Sequence, residues 1–277
     1  MQDCLLEGLY GCRAGRMLLK PLLSPRVSRL GAAYLDSRAS AFWIPLFIHH
    51  HSIPMEDYEL VAYRSFQDFF KRKLAEGARD IQMEPEAFIS PCDSRLSVYK
   101  IDASCTFSIK HTEYTVQRLL KNSRLASRFA GGFAWVFRLC VDDCHRYIYV
   151  DDGMTSEHYR IPGVLHTVNP AANEVYPIYK ENKREYCLLK SAHFGTIVQM
   201  EVGAMFVGQI ENRPSGRIVH RGEEKGNFAF GGSTVVILTQ AGQVVPDGDI
   251  LRHSKSGVET KVRLGEHVGA KRRVYGS

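Results

Sequence analysis

The chain has 277 residues and a mass of 31.3 kDa, room for one large domain or two small ones with a sizeable core. Its 44% hydrophobic and 24% charged residues sit near the globular average, which excludes disordered, fibrous and coiled-coil readings. The net charge of +6 is too modest to signal nucleic-acid binding. The longest apolar run, residues 41–48, is broken by Pro45 and falls short of the roughly 20 residues of a membrane-spanning helix. Seven cysteines, an odd number without disulfide-like spacing, follow a start that lacks the basic and apolar regions of a secretory signal. That pattern predicts free thiols in a reducing, cytoplasmic compartment.

In residues 11–30, Arg13, Arg16, Lys20, Arg26 and Arg29 interleave with Met17, Leu18, Leu19, Leu22, Leu23, Val27 and Leu30, with no acid among them. Ser24-Pro25 predicts a break between two short helices. Such a basic amphipathic element suits a membrane interface, and equally a helical hairpin packed on the body with a solvated basic face. A helix is predicted from Glu56 through Phe66, Phe69 and Phe70, whose spacing reads as core packing. After Pro85, short β-branched runs predict strands at 97–101, 147–150, 196–202 and 234–238, separated by turn residues, with one helical interruption from Thr115 to Leu125. The expected class is α+β: a helical N-terminal region, residues 1–80, feeding an antiparallel β-rich body, residues 81–277.

No glycine-rich run ends in the Gly-Lys-Ser/Thr of a nucleotide site. His49-His50-His51 reads as a solvated run, and Cys140-x-x-x-Cys144-His145 lacks a second pair to complete four zinc ligands, so no metal is expected. The informative stretch is Phe230-Gly231-Gly232-Ser233-Thr234, leading into the apolar Val235–Leu238. Two glycines permit backbone angles that bring a serine hydroxyl to the preceding carbonyl, although a plain glycine turn into a strand accounts for the same residues.

Six segments occur in order: 63–74 (YRSFQDFFKRKL), 90–94 (SPCDS), 143–147 (DCHRY), 162–170 (PGVLHTVNP), 202–210 (VGAMFVGQI) and 230–234 (FGGST). Together they closely resemble the phosphatidylserine decarboxylase family of pyruvoyl-dependent, membrane-associated enzymes, from about residue 12 to the C-terminus. The resemblance implies a proenzyme that cuts itself between Gly232 and Ser233 into a β chain, 1–232, and an α chain, 233–277. Ser233, the nucleophile, would become a covalent pyruvoyl group. Its ketone would form a Schiff base with phosphatidylserine and release phosphatidylethanolamine after decarboxylation. By the same resemblance Asp93 is the orienting acid of an Asp-His-Ser relay, and His145 is the base and later the proton donor. The sequence departs from the family where Ile148 replaces its second histidine and Cys144 its tyrosine, which leaves His166 as a reserve base. Implied partners are phosphatidylserine in an anionic membrane, the chain's own two fragments and a second copy, on the cytoplasmic face of the cell membrane. A soluble amino-acid substrate, or a homologue that binds membranes without cutting itself, are the alternatives.

Overall fold

The computed structural model describes residues 25–109, 112–163, 182–203, 210–230 and 233–272. The basic stretch 11–24, His166 and Gly232 lie outside the described residues.

The β-branched run at 233–239 forms the strand Ser233–Thr239, all seven residues of which are buried. It lies between the antiparallel strands Thr196–Gly203 and Phe133–Leu139 at the centre of a nine-stranded sheet. Side chains alternate across a strand, so Ser233, Val235 and Ile237 share one face while Val236 and Leu238 point to the other. The second face packs into a cluster with Val136, Val198 and Met200. The first packs with Trp135, Phe137 and Ile197. A three-stranded sheet of Ile210–Asn212, Glu224–Phe228 and Arg146–Ile148 adds Ile210, Tyr147, Ile148 and Phe228 to this first-face cluster.

Helices are few and short. The helix Pro25–Leu35 begins at a proline, which fits a first helical turn, while the helix expected before Ser24 lies outside the described residues. A second helix, Ile44–His51, ends where Ser52 turns left-handed. The helix expected from Glu56 is only Phe66–Phe70, capped by the Ser65 hydroxyl, which accepts from the Asp68 N–H at 3.1 Å. Its predecessor segment is held instead by a β-bridge between Tyr58 and Leu74. The interruption expected from Thr115 to Leu125 is two short helices, Val116–Leu120 and Ser123–Ala126, each with a side-chain cap. Among the described residues, no helix is long and apolar enough to cross a membrane.

Ile44, Ile53, Tyr58, Phe66, Phe69 and Phe70 form a third cluster, and Cys144 and Phe230 join it. The early helical segment is thereby packed against Phe230, the residue before the Gly-Gly-Ser sequence, and against Cys144, the residue before the candidate histidine.

Candidate active site

Ser233 is the first residue of its strand, opposite Gly203 on one neighbour and Leu139 on the other. Its side chain is buried, and its Oγ has no hydrogen-bond partner among the described residues.

Backbone pairing ties His145 to the strand that precedes the Gly-Gly-Ser sequence. The His145 carbonyl accepts from the Phe228 N–H at 2.9 Å, just ahead of the Arg146–Ile148 strand that pairs with Glu224–Phe228. The imidazole is fully buried, with Nδ1 at 3.0 Å from the Asp143 carbonyl. A carbonyl only accepts, so Nδ1 carries the proton and Nε2 presents a lone pair. That Nε2 has no partner among the described residues. Burial pushes the His145 pKa down to about 3, which keeps the ring neutral. Phe70 lies against it, ring centroids 4.0 Å apart, and Phe230 lies against Phe70 at 4.9 Å.

The Asp143 carbonyl also accepts from the Arg72 guanidinium at 3.2 Å, and the Asp142 carbonyl accepts from it at 2.7 Å. Arg72 is itself buried, stacked between the rings of Tyr58 at 4.5 Å and Phe69 at 4.9 Å. It thus fixes the turn that orients His145, a role that nothing in the run Lys71-Arg72-Lys73 suggests from sequence.

Asp93 is nearly buried, but its carboxylate is engaged elsewhere. Arg79 grips it with two hydrogen bonds, at 2.7 and 3.0 Å, and the Leu264 N–H donates to it at 2.8 Å. No hydrogen bond joins Asp93 to His145 among the described residues. Both aspartates, 93 and 143, line one polar pocket with His51, Arg79, Lys261 and Arg263. There burial raises the Asp143 pKa to about 6. Ile148, at the position of the expected second histidine, is a core residue whose carbonyl accepts from Gln199 at 2.8 Å.

On the other side of Phe230 lies an apolar groove of about 430 Å³, walled by Tyr34, Trp43, Leu46, Phe47, Phe66 and Phe230. The described residues thus hold a buried serine, a buried histidine, a polar pocket and an apolar groove.

The family model described as phosphatidylserine decarboxylase matches residues 66–270. The chain is 44% identical to a Clostridium acetobutylicum protein named phosphatidylserine decarboxylase proenzyme 2, over 95% of this chain and 91% of that one. It is 37% identical to a phosphatidylserine decarboxylase proenzyme of Clostridium novyi, over 97% of this chain and 93% of the relative. A proenzyme of the same name from Ruminiclostridium cellulolyticum is 37% identical over 96% and 90%.

Proposed function

Because the chain belongs to the phosphatidylserine decarboxylase family, we propose that it cuts itself between Gly232 and Ser233 and then converts phosphatidylserine to phosphatidylethanolamine and CO2 at an anionic membrane. The observations that carry this reading are that Ser233 Oγ, at the start of the central strand, and His145 Nε2, in the segment paired to the Glu224–Phe228 strand, are both buried without a hydrogen-bond partner among the described residues.

A hydroxyl is a weak nucleophile until a base takes its proton. The Asp143 carbonyl holds the His145 proton on Nδ1, which leaves Nε2 as the acceptor for the Ser233 proton. Glycines on the amino side of Ser233 put no side chain in the path of attack. These features suit a pyruvoyl group made from Ser233, since the hydroxyl is committed to no other bond. Its ketone supplies the electron sink for the pair left when CO2 departs. His145 then returns a proton to the substrate carbon. Arg72 keeps the imidazole aimed throughout, and Asp93, locked by Arg79, fixes the edge of the polar pocket. His166 stays the reserve base.

The apolar groove beside Phe230 fits an acyl-bearing substrate better than a free amino acid. The early helical segment, with Phe42, Trp43 and Leu46 exposed, suits peripheral docking on the cytoplasmic face. Denaturing electrophoresis tests the reading. Wild type should give fragments of about 26 and about 5 kDa, at roughly 0.11 kDa per residue, and Ser233→Ala one whole, inactive chain. A wild-type chain that stays whole yet releases CO2 would overturn it.

A further inference from the structure

Self-cutting takes two protons from residue 233, one from its hydroxyl and one from its Cα, and His145 answers only for the first. Attack by Ser233 Oγ on the preceding carbonyl breaks the C–N bond, makes a C–O ester and frees the Ser233 amine, which receives the hydroxyl's proton. The ester must then eliminate. The Cα–H bond breaks, its electron pair becomes the second Cα–Cβ bond, the Cβ–O bond breaks, and the chain ahead of Ser233 leaves as a carboxylate. The alkene that remains takes up water and loses ammonia to become the ketone. A proton on carbon is harder to remove than one on oxygen, so the second step calls for the stronger base.

The strand beside Ser233 carries a second acceptor. In the antiparallel pairing of Thr196–Gly203 with the central strand, Gly203 is opposite Ser233 and Glu201 is opposite Val235. Side chains alternate along a strand, so Glu201 projects from the same face as Ser233 and Val235. Diagonal neighbours of this kind lie about 7–8 Å apart, within reach of a long side chain. Glu201 is fully buried, and its Oε2 accepts from Lys225 Nζ at 2.5 Å and from Asn212 Nδ2 at 3.1 Å. Both donors stand on the three-stranded sheet that packs over this face. They hold one carboxylate oxygen in place. The other, Oε1, is buried without a partner among the described residues, as Ser233 Oγ is. Burial pushes the Glu201 pKa above its ordinary 4.5, whereas it pushes that of His145 down to about 3, so the carboxylate is the stronger base of the two.

We propose that Glu201 is a further catalytic residue of self-cutting, whose Oε1 takes the Ser233 Cα proton from the ester after His145 has served the hydroxyl. The negative charge then passes from Glu201 to the departing carboxylate, so the buried centre keeps its net charge through the step. This rests on the self-cutting reading above.

The test is the mass of the α chain from folded protein kept with or without hydroxylamine, which cuts esters and spares amides. Glu201→Gln keeps the side chain's shape but leaves the Lys225 cation buried without a counter-charge. Glu201→Leu with Lys225→Met strands no charge and is run beside it. Wild type should give an α chain ending in the ketone, or in its oxime where hydroxylamine is present. In both variants the ester should form and stall, so the ketone should appear at least about a hundredfold more slowly, the effect of losing a general base. Hydroxylamine should release from them an α chain that begins with serine. Ketone formation at the wild-type rate in either variant would overturn the proposal. So would a folded double variant that stays whole in hydroxylamine, because a merely structural loss blocks the first attack, and loss of the second base does not. If wild type never yields a ketone-ended chain, the self-cutting reading itself fails, and that is seen before any variant is compared.

Discussion

Asp143 and His145 are two residues apart and both buried, but burial acts on them with opposite signs. Desolvation disfavours the charged form, which raises the aspartate from 3.8 to about 6 and lowers the histidine from 6.5 to about 3. Between pH 6.5 and about 3 the unfolded chain takes up a histidine proton that the folded chain refuses, so acidification costs stability. Between pH 6 and about 3.8 the folded chain holds an aspartate proton that the unfolded chain releases, so acidification adds stability. Over most of that interval the two slopes, each up to about 1.4 kcal/mol per pH unit, offset one another. Asp143→Asn keeps an oxygen for the Cys140 N–H, which now donates to Asp143 at 2.7 Å, but removes the compensating gain. Its thermal midpoint should therefore fall more steeply than that of wild type from pH 6.5 to pH 4. His145→Phe should do the reverse. Other groups titrate alike in all three proteins, so parallel curves for wild type and Asp143→Asn would contradict these assignments. At this scale the sequence showed which histidine to suspect only through its resemblance to a family. Arg72 stayed invisible, because a Lys-Arg-Lys run has the composition of a solvated face, and its burial depends on the Tyr58 and Phe69 rings closing over it.

The element that organises the molecule is the central strand. Its SerThrValValIleLeuThr run was legible because β-branched residues fit a pleated, buried surface. The helix before it was legible in kind and not in length: the spacing of Phe66, Phe69 and Phe70 has a helical period, but its start is set by Ser65 and by the distant Tyr58–Leu74 bridge. Equally illegible was what the strand beside Ser233 carries. Glu201, two residues from Gly203 and on the Ser233 face, meets Lys225 at 2.5 Å with both side chains fully buried. Asn212 donates to the same carboxylate at 3.1 Å. Removing one partner of such a pair strands the other charge and costs about 3–5 kcal/mol, whereas replacing both with apolar residues of similar size is often neutral. Lys225→Met should therefore be strongly destabilised, and adding Glu201→Leu should recover most of the loss. Denaturant midpoints of the two single variants and the double variant decide it. A double variant as unstable as the sum of the singles would mean that the two side chains act independently and not as a coupled pair.

For the molecule as a whole the question is how a sheet protein reaches a substrate held in a bilayer. Leu30, Phe42, Leu46 and Leu60 are each more than half exposed, and all belong to the segment that packs beside Phe230. Trp43 and Tyr34 share a hydrogen bond at the mouth of the groove, with the Phe42 ring 5.6 Å from that of Trp43. Exposed apolar side chains on one segment are a cost in water that burial in an acyl boundary reverses, by about 1.5–3 kcal/mol for each large side chain. The chain's excess of basic residues adds a second attraction, to anionic head groups, with a different dependence on salt. The two can be separated because the screening length shrinks from about 10 Å at 0.1 M to about 3 Å at 1 M, while apolar insertion is not screened. Sedimentation with phosphatidylserine vesicles should accordingly fall as salt rises but level off above zero. Phe42→Ser with Leu46→Ser should leave the salt-sensitive part and abolish the plateau. With phosphatidylcholine vesicles wild type should show only the plateau. Were binding to vanish entirely at 1 M salt, or the double variant to bind as wild type does, docking would be electrostatic alone. The groove would then have to take its lipid from a surface that these side chains never enter.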